Sequence, residues 1–173
     1  MYIYLSLLMF LSFTSCINNN ANSSDAFSEL KIPTLMSDTL INNQLVNMPF
    51  KSEINEHRLM KLGYKVVHEK VVKNLHDNSL DDTISTLKSK ANQFIVYKSA
   101  ENNFIIEFEI NSKFEQLQGK LCIGSQIFKI SHIQANNKQT GDLFLVNDEG
   151  MGWLQVNYEK GIIKSLKAKY EYE

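Results

Sequence analysis

Apolar and polar residues follow different periods along this chain, and the changes of period divide it. Residues 2–13 hold Tyr, Ile, Leu, Met and Phe with two Ser, and no charge, Pro or Gly interrupts them. Residues 17–29 are small and polar without any apolar period, and residues 30–50 carry apolar side chains at irregular intervals, with Pro33 and Pro49 excluding a long helix. Extended segments and turns are expected there.

A helical pattern follows. Ser52 is placed to accept hydrogen bonds from a first helical turn whose Glu53 and Glu56 favour its positive end. Ile54, Leu59, Met60 and Leu62 could share one face, and Gly63 stands where a helix over residues 53–62 would end. Residues 64–72 then change to paired Val (Val66, Val67, Val71, Val72), a strand pattern, although Lys65, Glu69 and Lys70 also permit a helix. A polar loop over residues 74–82 follows, and residues 83–89 fit either helix or strand.

The second half alternates with period two. Residues 94–97 and 104–110 form a hairpin pattern in which Phe104, Ile106, Phe108 and Ile110 face one way and Glu107 and Glu109 the other. Residues 117–123 and 127–133 suggest two strands joined by a tight turn at Gly124 and Ser125. Residues 143–146, 153–158 and 162–172 continue the series through turns at 147–150 and 159–161, with Ile162, Leu166, Ala168, Tyr170 and Tyr172 on one parity. From about residue 93 onward the pattern predicts seven antiparallel strands.

The fold class is therefore mainly β: an antiparallel β meander, rolled into a strongly curved sheet or a small barrel. One short helix in the N-terminal half covers its apolar face. No internal repeat of fixed period occurs. Residues 30–173 are read as one domain, because the 158 residues left after a leader of fifteen can hold one real core but not two of typical size.

The leader reading comes from residues 1–15. A run of twelve residues, ten of them apolar, is too short to span a bilayer core, which needs about 20 in a helix, and it matches the apolar region of a cleaved signal peptide. The stretch closes on Leu11, Ser12, Phe13, Thr14, Ser15 and Cys16. There it resembles the lipobox of bacterial lipoproteins, in which small residues precede a Cys that receives lipid. Phe13 stands where an aliphatic residue is usual, and no Lys or Arg precedes the apolar run. The resemblance implies lipidation of Cys16, palmitate among the acyl chains, and a chain held on a membrane of the cell envelope. Acyl chains bury about 0.8 kcal/mol per CH₂, and more than one is needed for stable anchoring. Residues 16–29 would then be the tether, since so polar a segment buries too little apolar area to offset its ordering entropy.

Charge and cysteine count narrow the function classes. The net charge is −1, and Arg58 is the single Arg among 18 basic residues, so the sequence has no basic block to neutralise clustered phosphates. Nucleic-acid binding is not expected. With Cys16 lipidated, Cys122 is left alone; no internal disulfide can form, and its apolar neighbours suggest a buried, inert thiol.

No catalytic constellation is legible. His57, His68, His76 and His132 have no metal-ligand spacing, and no phosphate loop, dinucleotide fingerprint or nucleophile elbow occurs. The sequence thus assigns no catalytic residue, no metal and no cofactor. Residues 77–82 place oxygens at alternate positions like the start of a calcium loop, but Asp82 stands where Gly is required and Lys88 where a bidentate Glu is required. That stretch reads as a solvated acidic loop. Gly150 and Gly152 read as a hairpin turn serving Trp153, and Glu107 and Glu109 as the wet side of a sheet. Asp38-Thr39-Leu40 and Asp82-Thr83-Ile84 resemble the short O-glycosylation sites of exported bacterial proteins.

The expected function is an envelope lipoprotein whose non-enzymatic β-domain contacts a protein or a small ligand. One alternative is a ligand-holding small barrel with a cavity among Phe104, Phe108, Trp153 and Tyr170. Another is an enzyme acting on envelope polymers through scattered residues such as His132, Asp142 and Glu149.

Overall fold

The computed structural model describes residues 39–74, 76–130 and 140–171. The leader, Cys16, the tether and His132 lie outside the described residues. Eight strands form one sheet: β1 (Thr39–Ile41), β2 (Lys65–Lys73), β3 (Asp81–Ser89), β4 (Asn92–Lys98), β5 (Asn103–Ile110), β6 (Thr140–Val146), β7 (Gly152–Glu159) and β8 (Ile162–Tyr170). Two short helices, α1 (Asn43–Asn47) and α2 (Glu56–Lys61), precede β2.

The strand order is β1-β6-β7-β8-β5-β4-β3-β2. Two antiparallel meanders, β2 to β5 and β6 to β8, meet where β5 pairs with β8, and β1 adds to β6 in parallel. β1 and β2 are the two edges of this order, so the sheet is open and the curved-sheet reading holds rather than a closed barrel.

One face of the sheet carries the core. Leu87, Phe94, Val96, Phe108, Ile110, Leu143, Leu145, Leu154, Val156, Ile163, Leu166 and Ala168 are buried on it. Leu45 and Val46 of α1, Ile54, Leu59 of α2, and Phe114, Leu117, Leu121 and Ile127 from the β5–β6 connection cover it. The single cover helix expected from the sequence is thus only part of the lid. Phe94 sits at the centre, its ring centroid 5.2 to 6.1 Å from those of Phe50, Tyr64, Phe108 and Phe114. Such tilted and edge-on pairs add about 0.5–1.5 kcal/mol each beyond their area burial.

Bulges decide which side chains reach this core. Ile95 faces Glu107 while Val96 faces Ile105, so Ile106 is an extra residue in β5. The parity of the strand switches there. Phe108 and Ile110 are buried as the alternation predicts, but Ile105 replaces Ile106 in the core, and Phe104 falls on the opposite face, stacked 5.1 Å from Tyr97. A second bulge at Lys164 places Ile163, rather than Ile162, in the core.

Three further expectations change. α2 begins later than residue 53: Asn55, not Ser52, caps it, with its side chain accepting from the Arg58 N–H. Met60 and Leu62 are exposed while Leu59 is fully buried, because a six-residue helix has room for only one buried turn position. The two strands expected over residues 117–133 are instead short 3-10 turns at Gly119–Leu121 and Ile127–Lys129, with Ile133 outside the described residues. Their apolar residues plug the core from above rather than extending the sheet. Gly124, at φ +88°, does form the turn between them, and its N–H donates to the Ile163 carbonyl.

Polar burial is matched by hydrogen bonds. Asn92 is buried, and its side-chain oxygen accepts from the N–H groups of Asn111 and Ser112 at 3.0 and 2.9 Å, while its amide donates to the Tyr64 hydroxyl at 3.2 Å. It pins the chain leaving β5 to the β3–β4 turn. The fold rests on its aromatic centre, so Phe94→Ala should lower unfolding free energy by roughly 3–5 kcal/mol in urea titration. A loss below about 1 kcal/mol would show that the cluster around Phe94 does not hold the sheet and its cover together.

Candidate functional site

A cleft opens beside the start of β5. The β5–β8 ladder begins only at Glu107 opposite Lys169, and residues 48–54 cross the sheet next to that point. The resulting groove, about 410 Å³, is lined by Phe50, Ile54, Phe104, Ile105 and Tyr170 with Gln118 at one side. Aromatic and aliphatic groups make most of its surface, and the amides of Asn47 and Gln118 are its hydrogen-bonding groups nearest α1. Gln118 is itself held in place: its side chain donates to the Met48 carbonyl and its backbone N–H to the Pro49 carbonyl at 2.9 Å. The chemistry available is burial of an apolar body, with the amides of Asn47 and Gln118 and the exposed Lys51, Ser52 and Glu53 also on the lining.

Gly152 lies beside this groove for a steric reason. A Cβ there would stand 2.9 Å from Tyr170 Cδ1 and 3.3 Å from Val46 Cγ1. The glycine pair noted in the sequence thus serves two ends: Gly150, at φ +73°, makes the turn, and Gly152 lets the Tyr170 ring and α1 pack against β7.

The four aromatic residues expected to enclose a barrel cavity do not line one space. Phe108 is buried on the core face with Tyr170 6.3 Å away, whereas Trp153 stands opposite Lys169 on the other face. Phe104 and Tyr170 both border the groove, from opposite faces of the sheet. Asp142 and Glu149 are not brought together either. Asp142 accepts from the Asn157 amide at 2.9 Å near the start of β6, and Glu149 lies exposed in the turn beyond its far end. Four residues of strand, roughly 13 Å, already separate Asp142 from the end of β6.

Two polar clusters lie outside the groove. Asp82 and Tyr97 are buried beside each other, with the Tyr97 hydroxyl and the Asn74 amide both donating to one Asp82 carboxylate oxygen. Burial first, and the adjacent Asp82 second, push the Tyr97 phenol up to about 12. Asp82-Thr83-Ile84 is part of β3, with Asp82 buried and Thr83 and Ile84 half-buried. In the second cluster Lys98 Nζ lies 2.9 Å from Glu56 and 3.4 Å from Glu69, and the buried Ser85 hydroxyl donates to Glu69. The hydrogen bond to Glu56 raises the Lys98 ammonium above its ordinary value despite partial burial, which keeps it charged and unfit as an amine nucleophile or base. Both clusters clamp local structure: the first ties β2, β3 and β4, and the second ties α2 to the sheet.

The acidic loop is likewise occupied by its own contacts. Asp77 accepts from the hydroxyl and N–H of Ser79, which lowers its carboxyl below the ordinary range, and Lys73 pairs with Asp81 at 2.6 Å. Among the described residues no three His, Cys, Asp or Glu side chains are grouped to hold a metal ion, and no helix is long and apolar enough to cross a membrane. Cys122 is half-buried beside the Leu117 and Gln118 carbonyls, at the end of a 3-10 turn rather than in a strand.

The groove residues Phe50, Ile54, Ile105 and Gln118 were not visible as a set in the sequence. Their meeting depends on the bulge at Ile106 and on a crossing segment without regular structure, and neither carries a local signature. Comparison with protein-family models, with curated proteins and with solved structures finds no match to this chain.

The Tyr97–Asp82 pair generates a pH prediction. Its phenol is raised in the folded state relative to about 10 in the unfolded chain. The associated stability is therefore complete below pH ~10 and is lost as pH rises toward ~12, since the unfolded chain gives up this proton first. Tyr97→Phe should cost about 1–3 kcal/mol at neutral pH and flatten the alkaline loss of stability relative to the unsubstituted protein. Equal alkaline slopes in the two proteins, measured by urea titration between those pH values, would rule the pair out as its source.

Proposed function

We propose that this protein is exported, acylated at Cys16 and held in the cell envelope, where its β-domain binds a protein or small ligand without catalysing a reaction. The observation that carries the binding role is the groove beside β5. Its volume of about 410 Å³ falls within the span of small-molecule sites, and its apolar surface with the amides of Asn47 and Gln118 and one charge of each sign, Lys51 and Glu53, suits recognition of a partly apolar ligand. Buried ionisable groups support the same reading, because Asp82 and Tyr97 are engaged with each other outside the groove. The anchor rests on Cys16 closing an uncharged apolar run, followed by the polar residues 17–29.

Each half of this reading has its own measurement. Cys16→Ser should move the protein from the membrane to the soluble fraction and abolish incorporation of labelled palmitate; unchanged membrane retention, or no label in the unsubstituted protein, would remove the anchor. For the groove, anilinonaphthalene sulfonate should bind the folded chain saturably. Ser52→Trp, which fills the groove from an exposed position on its lining, should weaken that binding at least ~10-fold with unchanged thermal stability. Unaltered dye affinity in the Trp variant would exclude the groove as an apolar ligand site.

A further inference from the structure

Lysines and exposed apolar side chains lie together at one corner of the domain. Residues 39–52 and 116–130 carry Lys51, Lys120 and Lys129; Asp38, Glu53 and Glu115 flank these segments and the Asp148 N–H bonds the Asn43 side chain, but no carboxylate lines the depression between them. The fold brings these two segments together. A shallow depression of about 320 Å³ is lined by Gln44 and Leu45 from the first and by Gln118, Gly119, Lys120 and Lys129 from the second. Neither Lys120 nor Lys129 forms an ion pair among the described residues.

Large apolar side chains are exposed at the same corner. Phe128, next to Lys129, is 55% exposed, held outward by a 3-10 turn whose Ile127 is buried in the core. Met48 is 58% exposed, and its carbonyl is fixed by the Gln118 side chain that separates the depression from the groove. Exposing Phe and Met beside unpaired Lys opposes solubility in water but matches an anionic lipid surface. There, aromatic and thioether side chains enter the interface, and each Lys near the headgroups gains from the negative surface potential.

The geometry points to this corner, Met48, Lys120, Phe128 and Lys129, as a face that docks on the anionic headgroups of a bilayer. The inference rests on the anchored reading above for its setting: the 13 tether residues 17–29 reach at most about 45 Å, and the surface chemistry decides which face of the domain comes down on the membrane. Charge complementarity selects the depression, whose lining carries two lysines and no carboxylate.

The test uses the mature chain from position 16 carrying Cys16→Ser, so that no acyl chain contributes, and vesicles of phosphatidylcholine with or without phosphatidylglycerol. Co-sedimentation should occur with the phosphatidylglycerol vesicles, be absent with phosphatidylcholine alone, and weaken as salt is raised. Lys120→Gln with Lys129→Gln should lower the partition coefficient roughly 30-fold at low salt, and Phe128→Ala about 10-fold, both with unchanged melting temperature. Equal binding to the two vesicle types, or binding unaffected by these substitutions, overturns the proposal. So does retention by a soluble polyanion without retention by vesicles, which would mark the corner as a protein or polyanion contact. Because this chain carries no lipid, its failure leaves acylation of Cys16 standing, and failure of palmitate labelling leaves the vesicle result standing.

Discussion

The packing of Phe94 against Phe50, Tyr64, Phe108 and Phe114 is the contact on which the rest of the structure depends. An open sheet cannot bury its own apolar face by closing, and here the cover comes from pieces too short to be stable alone: a five-residue helix, a six-residue helix, a crossing segment and two 3-10 turns. Phe50 belongs to the crossing segment, Phe114 to the stretch that leads from β5 into the 3-10 turns, Phe94 and Phe108 to the central strands, and Tyr64 to the entry of β2. One aromatic cluster therefore fixes where the cover lies on the sheet, and so where the groove and the basic corner are.

Polar groups finish what the aromatic cluster begins. Asn92 holds the chain after β5 on the side where Phe114 and Leu117 must pack, and Asn103 and Lys98 receive the first turn of α2. At the other end Asn147 accepts from Gly152 N–H and donates to Asn47, locking the β6–β7 turn to α1. Each group would be costly to bury alone, and each is buried or half-buried with partners, so the cover is held in one arrangement rather than sliding on a greasy surface.

The groove and the basic corner share Gln118, whose contacts to Met48 and Pro49 form the ridge between them. A ligand entering the groove and a membrane meeting the corner would therefore lie on neighbouring surfaces. That proximity is a consequence of the β5–β6 connection, which leaves the sheet after Ile110, crosses the core with Phe114, Leu117, Leu121 and Ile127, and returns at Thr140 as the other meander.

Much of the sheet was legible from local pattern. Val pairs over residues 64–72, the alternation over residues 104–110 and the Gly-bearing turns all announced strands that formed, because β-branching, period two and positive φ act over a few residues. The uncharged apolar run of residues 2–13 that precedes Cys16 is equally a property of the sequence itself. Tertiary structure decided the remainder. Bulges at Ile106 and Lys164 reversed strand parity, which no alternation records until the neighbouring strand sets the register. Residues 117–130 had strand-like composition but no free strand edge to join between β5 and β8, so their apolar side chains were spent on the core as 3-10 turns. The groove and the lysine-lined depression arise only where segments some seventy residues apart meet, since it is long-range packing, rather than spacing along the chain, that brings residues 44–54 against residues 116–129.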